Sequence, residues 1–141
     1  MIRKIIVGLL FLGIALSVSA EALDTEDFKF VMSVPEGLKY RTYEKGRWGG
    51  IRGEGGGGKT KLLAVAYKGV TERKEIYSFG IELSEIEGDY WDEIDSGAGG
   101  SGFEWWEIYQ AEGKNRSLFA LVGKNAAHDI HYLFFILVLQ R

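Results

Sequence analysis

The chain has no cysteine at all and a single proline in 141 residues. Without cysteine there is no disulfide framework and no lipid-modified cysteine anchor, so the fold is held by packing alone. An exported protein of this kind fits a bacterial envelope better than a disulfide-rich secreted module. Positive charge is also in deficit: 17 Lys and Arg stand against 20 Asp and Glu, a formal net charge of -3. That balance argues against a nucleic-acid partner. The sequence shows no internal repeat and no domain boundary after its first twenty residues.

The N-terminus is the exception to the scarcity of long apolar runs. Arg3 and Lys4 form a basic start, an apolar run follows over 5–18, and Val18-Ser19-Ala20 precedes acidic Glu21. Charge, apolar run and small-residue cleavage box stand in the order of a secretory signal peptide, predicted to be 1–20. The run is too short to span about 30 Å of hydrocarbon comfortably at ~1.5 Å per residue. Cleavage leaves a mature chain of 121 residues and net charge -5, since Arg3 and Lys4 are lost with the leader. Residues 21–141 are expected to form one β-rich domain around a single core, with no transmembrane segment and a periplasmic or secreted location. Asn115-Arg116-Ser117 matches a glycosylation acceptor, a triplet common by chance and without meaning in a bacterium.

The mature sequence alternates mostly in twos. Phe28, Phe30, Met32 and Val34 share one parity, as do Leu38 and Tyr40, and Pro35-Glu36-Gly37 supplies turn chemistry between them, which predicts an opening hairpin. Residues 62–67 form a short apolar run ending at Gly69, and 61–68 look like a strand. Tyr77, Phe79, Ile81 and Leu83 alternate like a half-buried strand, although Ile76, Phe79 and Leu83 also fit a helix; Gly80 tips the reading toward strand. One short helix is expected within 84–95, opened by the capping box Ser84-Glu85-Ile86-Glu87 and carrying Ile86, Tyr90, Trp91 and Ile94 on one face. A flexible loop over 97–102 follows. Three strands close the chain at 103–111, 115–123 and 130–140. The last two are apolar on both parities, which predicts central strands covered on each side.

Two glycine motifs invite a nucleotide reading. Gly53-Glu54-Gly55-Gly56-Gly57-Gly58-Lys59-Thr60 satisfies the phosphate-loop letters. The chemistry needs a buried strand before the loop and a helix after it, with amides aimed at the phosphates. Here Arg47-Trp48-Gly49-Gly50-Ile51-Arg52 comes before and a strand comes after, so a flexible connector is the better reading. Gly97-Ala98-Gly99-Gly100-Ser101-Gly102 satisfies the dinucleotide letters but opens a strand. No cofactor is implied.

His128, Asp129 and His131 are candidate metal ligands by type. On a strand, positions 128 and 131 point to opposite faces, so polar turn residues are the expected role and no metal is assigned. Asp92, Glu93, Asp95, Glu104 and Glu107 lie near tryptophans, as hydrolytic carboxylates beside sugar-stacking rings do, yet no spacing singles out a pair. No nucleophile elbow accompanies the histidines. Trp91, Trp105, Trp106 and Tyr109 are the candidate ligand-binding residues. Adjacent Trp105 and Trp106 must face opposite ways on a strand, so one can sit in the core while the other meets a ligand.

The turn Ser33-Val34-Pro35-Glu36-Gly37-Leu38-Lys39-Tyr40 resembles the opening hairpin of small PsbP/Mog1-like domains. The resemblance covers eight residues and implies helices packed on a sheet; no activity, site or family membership is carried over from it.

The expected fold is mainly β, a small antiparallel sandwich or curled sheet with one short helix, with α+β as the alternative. The expected role is a non-catalytic protein- or glycan-binding module of the cell envelope, with a homo-oligomer as a possible state. The alternative is a small hydrolase acting on envelope polymers through an acidic pair. A small outer-membrane barrel fits less well, because the last strands do not alternate between lipid-facing and lumen-facing residues.

Overall fold

The computed structural model describes residues 5–6, 20–25, 29–35, 37–84, 91–99 and 102–139. Among these residues ten strands and one α-helix follow in the order β1 (Ile5–Ile6), β2 (Ala20–Thr25), β3 (Phe30–Pro35), β4 (Lys39–Lys45), β5 (Trp48–Gly55), β6 (Thr60–Lys68), α1 (Arg73–Ser84), β7 (Asp92–Ala98), β8 (Phe103–Gly113), β9 (Arg116–Asn125) and β10 (Ile130–Leu139). Seven of the strands form one open antiparallel sheet in the order β4-β5-β6-β10-β9-β8-β7, and β1, β3 and β2 form a separate small sheet. The protein is therefore mostly β, with one short helix.

The doubly apolar C-terminal segment takes the middle of the large sheet. β10 pairs with β6 from Ile130↔Lys68 to Val138↔Thr60, and with β9 from His131↔Lys124 to Leu139↔Arg116. Its residues 130–137 are all buried. Tyr132, Phe134 and Ile136 face one side with Leu62, Ala64, Ala66, Phe103 and Leu121. Phe30 covers them, its ring centroid 5.2 Å from Phe134 and 6.1 Å from Tyr132. Leu133, Phe135 and Leu137 face the other side with Leu63, Val65, Leu118 and Val122, where Ile76 of α1 and Trp91 cover them. Period-two alternation sends one parity to each cover, so a strand with no polar parity has to lie here.

Residues 77–83 are helical, which corrects the expected strand there. The buried stripe of α1 is Ile76, Gly80 and Ser84, four residues apart, with Phe79 and Leu83 beside it. That is the helical spacing that competed with the alternation. Gly80 is small for a tertiary reason: a Cβ there would run into the Trp91 ring. α1 is also tied to β5 by Trp48, which stacks on Phe79 at 4.4 Å and meets Tyr67 edge-on at 5.3 Å.

Three further expectations are revised. Ser84 stands at the described end of α1, where its hydroxyl donates to the Ile81 carbonyl at 3.0 Å; the rest of the capping box of the expected helix lies outside the described residues. The segment expected to continue as that helix is instead strand β7 from Asp92 onward, with Trp91 buried and Ile94 half exposed; residues 85–90 lie outside the described residues. The loop expected over 97–102 starts as strand, because Gly97 and Ala98 pair with Trp106 and Trp105. The opening hairpin does not close: β3 pairs with β2, and β4 pairs with β5, so the turn at Gly37 passes from one sheet to the other.

Both edges of the large sheet are exposed along most of their length. β4 carries Lys39, Arg41, Glu44 and Lys45, and β7 carries Asp92, Glu93 and Asp95.

Phe134→Ala and Phe135→Ala open cavities on opposite faces of the same strand, and each is expected to cost ~3–5 kcal/mol. Gly80→Ala gains up to ~1 kcal/mol of helix propensity but overpacks against Trp91, at a cost of ~1–3 kcal/mol. It is expected to destabilise the native chain and to do so less in a Trp91→Leu background. Denaturant melts of the single and double variants check both statements; additive effects of Gly80→Ala and Trp91→Leu would refute the second.

Candidate functional site

β8 sends Trp105, Glu107 and Tyr109 to the face covered by α1. The first turn and a half of the helix brings Arg73 and Tyr77 against them. Arg73 Nη1 donates to Glu107 Oε2 at 3.1 Å, and the same guanidinium lies 4.0 Å from the Trp105 ring centroid. The Tyr109 hydroxyl donates to Glu107 Oε1 at 3.0 Å. Glu107 is thus held on both oxygens, with its side chain only 13% exposed. Tyr77 links the group to the core: its ring is 5.4 Å from Tyr109 and 5.6 Å from Trp91, and its hydroxyl accepts from the Trp91 backbone N–H at 2.7 Å.

Glu93 enters from the adjacent edge strand, where it pairs with Tyr109 next to a register shift. Its hydrogen bond to Glu107 raises its pKa above the ordinary carboxylate value, and desolvation and repulsion by Glu107 act in the same direction. Burial, followed by the hydrogen bond to Glu107, pushes the Tyr109 phenol well above its usual range. Of the five acids singled out by sequence, only Glu93 and Glu107 come together. Glu104 pairs with Lys124 at 3.6 Å, Asp95 accepts from the backbone N–H of Ser96 at 2.9 Å, and Asp92 is exposed at the start of β7.

The four candidate ligand-binding aromatics divide as follows. Trp91 is 4% exposed and packs on Phe135 at 6.4 Å, so it is core. Trp105 and Trp106 do face opposite ways, and both are half-buried. Trp105 is capped by Arg73, and Trp106 lies over Gly97, where a Cβ would come within 2.5 Å of the ring. Tyr109 is engaged with Glu107.

His131 lies on the helix side of β10, buried, 6.2 Å from Trp105. Burial, then the Lys124 ammonium, lowers its pKa, which keeps the imidazole neutral. His128 and Asp129 belong to the turn between β9 and β10. There the Asn125 side chain accepts from the N–H of Ala127 at 2.8 Å and of His128 at 3.2 Å, and the Asp129 carbonyl accepts from Gly69 N–H at 2.8 Å. Among the described residues no three His, Cys, Asp or Glu side chains gather as a metal site.

The first glycine motif spans a turn between antiparallel strands. A single 3-10 turn, Gly56–Gly58, joins β5 to β6, and no helix follows it. The β7–β8 connection contains Gly99, whose N–H donates to the Glu104 carbonyl at 3.0 Å.

Sequence reading missed the surface at the β4–β5 end. Here Arg41 stands directly opposite Arg52, and Lys39 opposite Glu54. Two hollows meet there. One, of about 540 Å³, runs along Lys39, Arg41, Arg52 and the glycine turn. The other, of about 470 Å³, opens between Leu83 of α1 and a floor of Leu63, Phe135 and Leu137, with Tyr43 at its side. Arg52, Gly53 and Glu54 line both. The only trace in the sequence is the shared parity of Lys39, Arg41 and Lys45; Arg52 joins them through strand register alone.

The raised pKa of Glu93 has a definite sign. A carboxyl that binds its proton more tightly in the folded chain stabilises it fully below the unfolded pKa, and the contribution is lost as pH rises through the folded value. Glu93→Gln keeps an N–H donor to Glu107 at every pH. Between about pH 4 and pH 7, the denaturation midpoint of the native chain is therefore expected to fall relative to that of Glu93→Gln. Parallel pH profiles would refute the raised pKa.

No protein-family model matches the chain, and no curated protein matches it. Among solved structures, the fold is similar to that of the crystal structure of the Ran-binding protein Mog1p from Saccharomyces cerevisiae. The TM-score is 0.56 at 10% sequence identity, over 89% of this chain and 79% of that one. A likeness at that identity is a likeness of fold.

Proposed function

We propose that the chain is an exported, non-catalytic binding module that engages a protein or glycan of the cell envelope through the β4–β5 end of its sheet. The observation that carries this reading is the hollow between Leu83 and the floor of Leu63, Phe135 and Leu137, rimmed by Arg52, Glu54, Lys61 and Glu82. An apolar floor with a few polar groups at the rim is the usual composition of a recognition site. A protein partner fits better than a sugar stacked on tryptophan, since Trp91 is buried and Arg73 occupies a face of Trp105. The fold neighbour Mog1p is a Ran-binding protein, so a sheet of this kind can carry a protein-binding surface.

The hydrolytic alternative draws on the one acidic pair that meets, Glu93 and Glu107. Arg73 and Tyr109 already occupy Glu107. The pair is read as a structural tie.

Export rests on the leader over 1–20. Cleavage after Ala20 removes β1 and leaves the whole seven-stranded sheet, which starts at Lys39. N-terminal sequencing of chain recovered from the envelope of an exporting bacterial host is expected to begin at or near Glu21; intact Met1 in the membrane fraction would contradict it. For the binding reading, a photo-crosslinking side chain at Tyr43 or Leu83 is expected to yield a discrete adduct in the producing cell, and one at Ile94 none. Equal labelling from all three positions would remove the assignment of the surface.

A further inference from the structure

The like-charged pair at the β4–β5 end has no structural use in the described chain. Arg41 and Arg52 are direct cross-strand partners. Side chains so placed have Cβ atoms about 4.5–5.5 Å apart, and like charges there are destabilising. Among the described residues neither guanidinium forms an ion pair or side-chain hydrogen bond, and neither does Lys39. Protection of an open edge accounts for Lys39 and Arg41 on β4. It does not account for Arg52, which lies one strand inside the edge.

The hollow of about 540 Å³ is lined by these three cations and by the turn Gly56–Gly58. At Gly57 and Gly58 the space where a Cβ would stand is empty, with φ of 71° and 89°. A ligand can therefore approach the bare backbone, and successive turn amides form anion-binding concavities. Among the described lining residues Glu54 is the one acid, against three cations.

We propose that this hollow binds a tetrahedral oxyanion, a phosphate or sulfate group carried on a polymer, held between the guanidiniums of Arg41 and Arg52 with Lys39 beside them. Two guanidinium forks at directly paired strand positions suit an oxyanion that accepts on several oxygens, and the ligand supplies the negative charge that the fold omits. A polymer suits the site because the hollow is open along the exposed edge strand, where neighbouring groups of the chain can run past Lys45. General attraction is not the source, since the mature chain carries net negative charge. The proposal rests on the reading of the chain as a binding module and names the ligand chemistry of that surface.

The test is isothermal titration of the chain from Glu21 onward with polyphosphate, dextran sulfate and neutral dextran, at low and at physiological salt. Both polyanions are expected to bind, with affinity falling as salt rises, and neutral dextran is not. Arg41→Gln/Arg52→Gln is expected to lose at least tenfold in affinity, and Lys114→Gln on the β8–β9 turn to lose nothing. The double variant is also expected to melt no lower than the native chain, because it removes a repulsive pair. Inorganic phosphate is expected to displace polyphosphate only in large molar excess; displacement at equal phosphate concentration would overturn the polymeric ligand. Unchanged affinity in the double variant, binding of neutral dextran, or a clear loss of stability on removing the arginines would overturn the site. Absence of all polyanion binding would overturn it too, while adducts from Tyr43 and Leu83 would still stand for the binding module.

Discussion

Burial of β10 on both faces is the constraint from which the rest of the architecture follows. A strand with no polar parity cannot tolerate water on either side, so two covers are required. α1 supplies one through Ile76, with Trp91 wedged beside Gly80, and Phe30 supplies the other. The second cover is anchored by a polar tie as well. The Tyr132 hydroxyl accepts from Asn125 Nδ2 at 3.0 Å and donates to the Lys29 carbonyl at 3.4 Å, just before Phe30. Burial pushes that phenol up to about 12, so it stays a donor throughout the physiological range.

The cluster around Glu107 shows how a site-like constellation can be structural. Aromatic rings, two carboxyls and an arginine meet on one face, the ingredients of a hydrolase. Glu107, the less exposed acid of the two, is already engaged by Arg73 and Tyr109. What the cluster does is fasten the start of α1 and the edge strand β7 to the sheet. The opposite edge carries Lys39, Arg41 and, one strand in, Arg52, which have no ion-pair partner among the described residues.

How much of this was legible depended on whether the determining contact was local. The last three strands were readable because their patterns are long and their turns short; β8, β9 and β10 fall within a few residues of expectation. The opposite orientation of Trp105 and Trp106 followed from period two alone. Residues 76–84 misled because two periods overlap there, and Gly80, read as a mark of strand, answers to a ring eleven residues further on. The opening hairpin misled because its two halves find better partners in different sheets. Site residues were harder still. Glu93 meets Glu107 across a register shift, and Arg41 meets Arg52 by pairing of β4 with β5. No spacing along the chain encodes either meeting.

The charges on the two sheet edges also bear on how the protein behaves when concentrated. An open sheet offers unpaired backbone groups at both ends, and the commonest accident is pairing of an edge with its own copy. Here two β4 strands laid together would bring Lys39, Arg41 and Lys45 against their duplicates, and two β7 strands would do the same with Asp92, Glu93 and Asp95. Symmetric edge dimers are thereby opposed electrostatically without a proline, a bulky cap or a disulfide. Since that opposition is carried by exposed charge, it weakens as ionic strength rises. Salt, which protects many proteins from like-charge repulsion, would in this one remove the barrier that keeps its strands apart.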